Sequence, residues 1–217
     1  MIHLFALLSL LLCGVCYTGF QNSSHFHNTG NRRSLLFLVF GGALLLRLLL
    51  AYTTHGFSND IACFAAWADR IFTLGPGQFY SAEMFTDYPP GFMYVLYLIG
   101  ALRSLLQIPY YSDLHILLLK LPAILCDIAC GFLLHREAVK RLHFSDLQGI
   151  FAASAYLFQP AVILNSSCWG QVDSVYTLMI ILMCLFLMKG NLLPAYAVYG
   201  LGVLLKPQML IFTPVLL

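Results

Sequence analysis

Charged side chains are what this sequence has least of. Asp, Glu, Lys and Arg make up 9% of its 217 residues, where soluble domains carry about 25%. With 60% hydrophobic residues and a mean hydropathy of +0.84, such a chain reads as an all-α integral membrane protein. It has no long Lys/Arg run and a net charge of only +2, so no nucleic-acid partner is expected. Metal-ligand spacing is missing too, because Cys13, Cys16, Cys126, Cys130 and Cys184 fall inside apolar runs, where thiols act as small apolar side chains. Cys63 and Cys168 lie near polar loops, and a disulfide between them is weighed against two free thiols. Also lacking is a basic residue ahead of the first apolar run, Met1 to Phe20, or a clear small-residue cleavage site. An uncleaved helix therefore fits better than a signal peptide, and a mis-assigned start is the rival reading.

What the sequence does contain is one polar island. Gly56 to Gly91 holds Asp60, Asp69, Glu83 and Asp87, four of the nine acidic residues. Residues 1–33 form an extra apolar helix and a polar linker ending in Arg32-Arg33, and 34–217 form one multi-spanning module with an outer loop at 54–112. The apolar run still open at Leu217 suggests a chain cut from a longer one. Ser34 to Tyr52 is long enough to cross about 30 Å of hydrocarbon, and Arg32-Arg33 place its start in the cytoplasm. Arg47, inside that run, either snorkels to the headgroups or faces a polar cavity.

Three more apolar runs follow: Pro90 to Leu106, Leu114 to Leu134 and Leu147 to Leu164. If all three cross, the basic loop His135 to His143 and the Lys189 turn fall outside, against the positive-inside rule. If Pro90 to Leu106 lies along the outer surface, both return inside, and Asp60, Asp87, Asp173 and Lys206 share the outer side. The second arrangement is expected, with two surface helices in the first outer loop. The first of these follows Asn59-Asp60, with Ile61, Phe64, Ala65, Ala68, Ile71 and Phe72 at helical spacing, which puts Asp60 at or near its N-terminus; a capping carboxylate is the plainer reading of that residue. Downstream, Val175 to Met188 and Leu192 to Leu205 read as short helices around Lys189-Gly190-Asn191, with a further span opening at Met209. The sequons at Asn22 and Asn165 are treated as chance.

Several stretches resemble one family when taken in order. Asp60 just past the first core helix, Tyr88-Pro89-Pro90-Gly91 closing the outer loop, and Lys120 opening Leu121-Pro122-Ala123-Ile124-Leu125 look like the GT-C glycosyltransferases. These are multi-spanning enzymes that use polyprenyl-phosphate sugars. Trp169-Gly170-Gln171-Val172-Asp173-Ser174 and Lys206-Pro207-Gln208 resemble its bacterial mannosyltransferase-like branch. The resemblance runs from about Ser34 to the end.

It implies transfer of a hexose from a polyprenyl-phosphate donor to a glycan, lipid or protein hydroxyl on the outer face. The setting would be the plasma membrane of a bacterium or the endoplasmic reticulum of a eukaryote. Asp60 is the expected general base in one inverting displacement, because the acceptor hydroxyl must lose its proton. The leaving phosphate is already anionic and needs cations more than an acid, so Lys120, Lys206 and Arg47 are candidates to hold it. Asp87, Tyr88, Trp169, Gln171, Asp173 and Gln208 are candidates for donor phosphate or sugar. The plainer readings stay open: an interfacial belt residue for Trp169, topology anchors for the lysines. No cofactor is implied. A divalent metal is compatible with the family but unsupported, since many members show two adjacent acids where this chain has Asp60-Ile61. A lipid or sugar transporter, or an inactive membrane subunit, is the alternative reading.

Overall fold

The computed structural model describes residues 32–82 and 84–216, with scattered positions between 10 and 19; most of the first apolar run and its linker, and Glu83, lie outside the described residues. The described part is helical. In chain order it contains α1 (Arg32–Thr53), α2 (Ser58–Leu74), α3 (Pro90–Leu105), α4 (Asp113–Lys140), α5 (Asp146–Leu157), α6 (Pro160–Ile163), α7 (Asp173–Met188) and α8 (Leu192–Leu205). A π-helical turn, Leu164–Trp169, continues α6, and a 3₁₀ helix, Pro207–Leu216, follows α8.

Two helices, α1 and α4, are long and apolar enough to cross a membrane. At about 1.5 Å per residue, the 22 residues of α1 span roughly 33 Å. The third apolar run, expected as one helix, is instead broken into α5 and α6 with a 52° bend. Pro160 causes it, since it has no N–H to give the Tyr156 carbonyl, which takes the Gln159 N–H at 3.1 Å instead. The two expected outer-loop helices form, as α2 and α3. They pack on each other through Gly100, where a β-carbon would lie 2.4 Å from the Ala68 carbonyl oxygen.

Three boundaries differ from the sequence reading. Asp60 is the third residue of α2, whose N-cap is Phe57; the Phe57 N–H is held by the Trp169 carbonyl at 2.9 Å, and its own carbonyl accepts from Ile61 at 3.0 Å. Six residues of the basic loop, His135 to Lys140, are the last turns of α4. Beyond Met209 the chain winds as a 3₁₀ helix. Pro214 cannot donate to the Leu210 carbonyl, and the Thr213 hydroxyl does so at 2.6 Å. Cys63 and Cys168 are free thiols.

The main core lies among α2, α3 and α4, where Ile61, Phe64, Trp67, Phe92, Leu96 and Leu119 are buried together. The helices run up and down, so polar groups collect at two ends. One end joins Arg32 to Asp146 at 3.3 Å and Arg141 to the Met188 carbonyl at 3.0 Å. The other gathers the C-termini of α1 and α8 and the N-termini of α2, α3 and α7.

Candidate functional site

The second polar end is built on close approaches that only glycine allows. Gly56 has φ +80° and Gly170 φ +87°; a β-carbon on either would lie 2.7 Å or 2.6 Å from the Ile61 side chain. The Gly170 and Gln171 N–H groups both turn back to the Asn165 carbonyl, at 3.1 and 2.9 Å, which ends the π turn and aims Gln171 at α2. On the far side, a β-carbon on Gly91 would meet the Leu204 carbonyl oxygen at 2.6 Å. The start of α3 is thereby seated against the end of α8, next to Lys206. Pro90 suits that start because the first helical residue has no N–H partner to lose.

These joints enclose an open cleft of about 530 Å³ lined by Asp60, Asp87, Tyr88, Gln171, Lys206 and Gln208, together with Pro207. Six of the ten site residues singled out in the sequence thus meet in one place, drawn from stretches more than a hundred residues apart. Gln171 Nε2 donates to the Asp60 carboxylate. Lys206 Nζ donates to the Asp173 carboxylate, which also accepts from Asn165 Nδ2 at 3.0 Å. The same ammonium lies 5.8 Å from the Tyr88 ring centre and 5.7 Å from that of Tyr176.

Tyr88 is fixed from behind by an aromatic cluster. Its ring centre lies 5.6 Å from Phe64, 5.8 Å from Trp67 and 5.5 Å from Phe92, and the Tyr80 hydroxyl holds its carbonyl at 3.0 Å. Burial pushes the Tyr88 phenol well up, and the carboxylates of Asp173, Asp87 and Asp60 add to it, so the group stays a neutral hydroxyl at physiological pH. Burial likewise raises the Cys63 thiol, with smaller effects from Asp87 and Asp60; it is therefore no thiolate nucleophile.

The chain matches no family model, no curated protein and no solved structure. The chemistry of the cleft is accordingly read from its residues. Carboxylates at Asp60 and Asp87 accept hydrogen bonds from hydroxyl donors, and Lys206 is the single cation among the lining residues. Among the described residues, no three His, Cys, Asp or Glu side chains come together as a metal site.

Three of the remaining sequence candidates stand away from the cleft, and each is engaged by internal partners or lines a different pocket. Arg47 is fully buried and bonds Asp127 Oδ2 at 3.2 Å, the Leu157 carbonyl at 2.7 Å and the Ala43 carbonyl at 3.3 Å. It neither snorkels nor lines the cleft. Lys120 is also fully buried; its three donors go to the carbonyls of Ala51 and Thr54 and to the Thr54 hydroxyl, at 3.2, 2.6 and 3.1 Å. It caps the C-terminus of α1, where cationic charge complements the helix dipole. Trp169 is half exposed, packs tilted against Phe57 with ring centres 5.6 Å apart, and lines a separate pocket of about 300 Å³ with Gly56 and Cys168. Asp173 sits at the edge, reaching the cleft through Lys206.

Sequence reasoning missed Asn165, which supports Asp173, and Asp127, which pairs with Arg47. The signal for Asp127 was present. A lone acid in the apolar run of α4 and a lone base in that of α1 invite pairing.

Proposed function

We infer that the protein is a membrane glycosyltransferase acting on a polyprenyl-phosphate sugar, with its site on the outer or luminal face. The observation that carries the reading is the cleft itself. One end of the helical assembly gathers carboxylates, two amides, a neutral phenol and one ammonium around an open cleft, in a chain where charged residues are only 9%.

The topology supports it. With Arg32-Arg33 and the basic residues at the end of α4 in the cytoplasm, α1, α4 and the bent α5–α6 pair cross, α7 and α8 form a hairpin whose second helix is largely exposed, and α2 and α3 stay at the outer interface. Tyr94, Leu98, Leu102 and Leu105 form an exposed apolar stripe along α3, as an interfacial helix requires. The buried cations of Arg47 and Lys120 are consumed by internal hydrogen bonds, which favours the enzyme over a transporter that would keep them for a pathway.

In the reaction, the acceptor hydroxyl gives its proton to the Asp60 carboxylate as its oxygen attacks the anomeric carbon. The bond from that carbon to the phosphate oxygen breaks on the opposite face, the anomeric centre inverts, and polyprenyl phosphate leaves. Gln171 orients the Asp60 carboxylate, and Lys206 stabilises the phosphate oxygen as charge grows on it.

The test is transfer of radiolabelled hexose from a panel of polyprenyl-phosphate donors by membranes containing the protein, compared with Asp60→Asn. Asn keeps an oxygen for Gln171, and losing a carboxylate from the first turn of α2 costs about 0.3–1 kcal/mol. Expression is therefore expected to hold while transfer falls about 10²–10⁴-fold. Normal turnover in well-expressed Asp60→Asn would remove Asp60 as the base.

A further inference from the structure

The end of the assembly opposite the cleft carries a charge that the proposed reaction does not use. Six of the chain's 11 basic residues, Arg32, Arg33, Arg136, Lys140, Arg141 and Lys189, lie there with two of its 9 acidic ones, Glu137 and Asp146. Both carboxylates are taken. Arg136 and Arg141 share Glu137 at 2.6 and 3.5 Å, and Arg32 pairs with Asp146 at 3.3 Å. Arg33, Lys140 and Lys189 are exposed, and their side chains have no ion pair or hydrogen bond among the described residues. The fold brings two of the three together. Arg141 Nη2 donates to the Met188 carbonyl at 3.0 Å, which joins the end of α4 to the end of α7, and Lys140 and Lys189 are the chain neighbours of that pair. Beside them Leu142, Met188, Leu192 and Leu193 are all exposed.

We propose that the joint between α4 and α7 binds the headgroup of an anionic phospholipid, with Lys140 and Lys189 on its phosphate and its chains over the neighbouring leucines. Charge and apolar surface together select this partner. Two ammoniums on adjoining helix ends, without a protein counter-ion, repel each other, and a phosphodiester between them relieves the repulsion and accepts hydrogen bonds from both. A soluble phosphate would leave Leu142, Leu192 and Leu193 against water, whereas a lipid covers them while it neutralises the charge. Basic residues gathered between helices at the cytoplasmic edge of a membrane bind anionic headgroups in this way. Under the topology inferred above, the lipid belongs to the cytoplasmic leaflet. The site lies at the other end of the helices from the cleft, so it stands or falls independently of sugar transfer.

The experiment is native mass spectrometry of the detergent-solubilised protein with equimolar phosphatidylglycerol and phosphatidylcholine, matched in their acyl chains and different in head charge. Each cation near an anionic headgroup contributes roughly fivefold, so the two lysines should favour phosphatidylglycerol about 25-fold. The double variant Lys140→Gln with Lys189→Gln changes exposed side chains that have no partner to lose. It should fold normally and bring the two lipids to within about twofold of each other. Excess glycerol phosphate, a soluble competitor with the same anionic group, should not displace the lipid. Equal uptake of both lipids by the parent protein overturns the proposal, and so does displacement by glycerol phosphate, which would mark a site for free phosphate. A preference that survives in the double variant overturns it too; if that preference then falls in Lys206→Met, the lipid sits in the cleft. Loss of the preference in the double variant leaves the role of Asp60 as it was, and failure of sugar transfer leaves this site standing.

Discussion

Arg47 gives the sharpest test of the architecture, because its surroundings fix a magnitude. Its guanidinium and the Asp127 carboxylate are both fully buried, and among the described residues that carboxylate also accepts from the Tyr156 hydroxyl at 3.2 Å. Arg47→Met keeps a comparable apolar stem but strands the carboxylate, and an uncompensated buried charge costs about 3–5 kcal/mol. The substitution also strips a donor from the Leu157 carbonyl, which the break after α5 leaves free of any helical partner. For a chain of this size the loss corresponds to a fall in unfolding midpoint of roughly 6–20 °C. The double variant Arg47→Met with Asp127→Leu removes the stranded charge and should recover most of it, since apolar replacement of a buried pair is often close to neutral. The assay is size-exclusion chromatography of detergent-solubilised protein after a temperature ramp, for both single variants and the double. A midpoint for Arg47→Met within about 2 °C of the parent would refute this reasoning, as would a double variant no better than the singles. Either result, joined to lost donor binding, would return Arg47 to the role of phosphate ligand.

Two further outcomes test the site and its placement. Lys206→Met should leave the fold intact yet weaken donor use roughly 10- to 100-fold, because one hydrogen bond to a charged group contributes about 1.5–3 kcal/mol; unchanged donor affinity would make Lys206 a partner of Asp173 alone. In a background without native cysteines, a cysteine replacing exposed Asn59 should react with a membrane-impermeant thiol reagent in intact cells, and one replacing exposed Lys140 should not. The opposite pattern would invert the topology and put the cleft in the cytoplasm.

How much of this was readable in the chain depended on the range of the interactions. Helices α1, α2, α3 and α8 could be placed from runs of apolar residues and from Pro90, since those signals are local. That Asp60, Asp87 and Lys206 share one side was legible from charge asymmetry, whereas Gln171 and Gln208 were picked out only by the resemblance of the stretches that carry them. What could not be read was which buried group takes which proton donor. Lys120 and Lys206 look alike in sequence, each a lone base beside a Leu-rich run. One ends on the carbonyls of α1 and the other at the mouth of the cleft, because pairing across 66–69 residues for Lys120 and 33 for Lys206 fixes their surroundings. Asp60 was legible at or near the start of α2 and lies in its first turn, but the cap itself, Phe57, is held by the Trp169 carbonyl and could not be read locally. The break in the third apolar run was written at Pro160 and was underweighted, because apolarity alone does not report a bend.

The joints at the polar end consist of main-chain atoms and glycines. Thr54 and Ala51 offer carbonyls to Lys120, Trp169 offers one to Phe57, and Gly56, Gly91 and Gly170 let the strands of chain touch. A frame of that kind is indifferent to most of the side chains it displays. Asp87 and Gln208 hang from it without bracing it, whereas the Tyr88 ring is packed on the core, so under the proposed transfer randomising the first two should redirect sugar preference while the scaffold holds. The glycines form the opposite class, and a library that varied them would lose the frame before it found a new substrate. Under the proposed transfer, change of specificity is therefore confined by this construction to a small palette of cleft side chains, with the proposed base, Asp60, left in place.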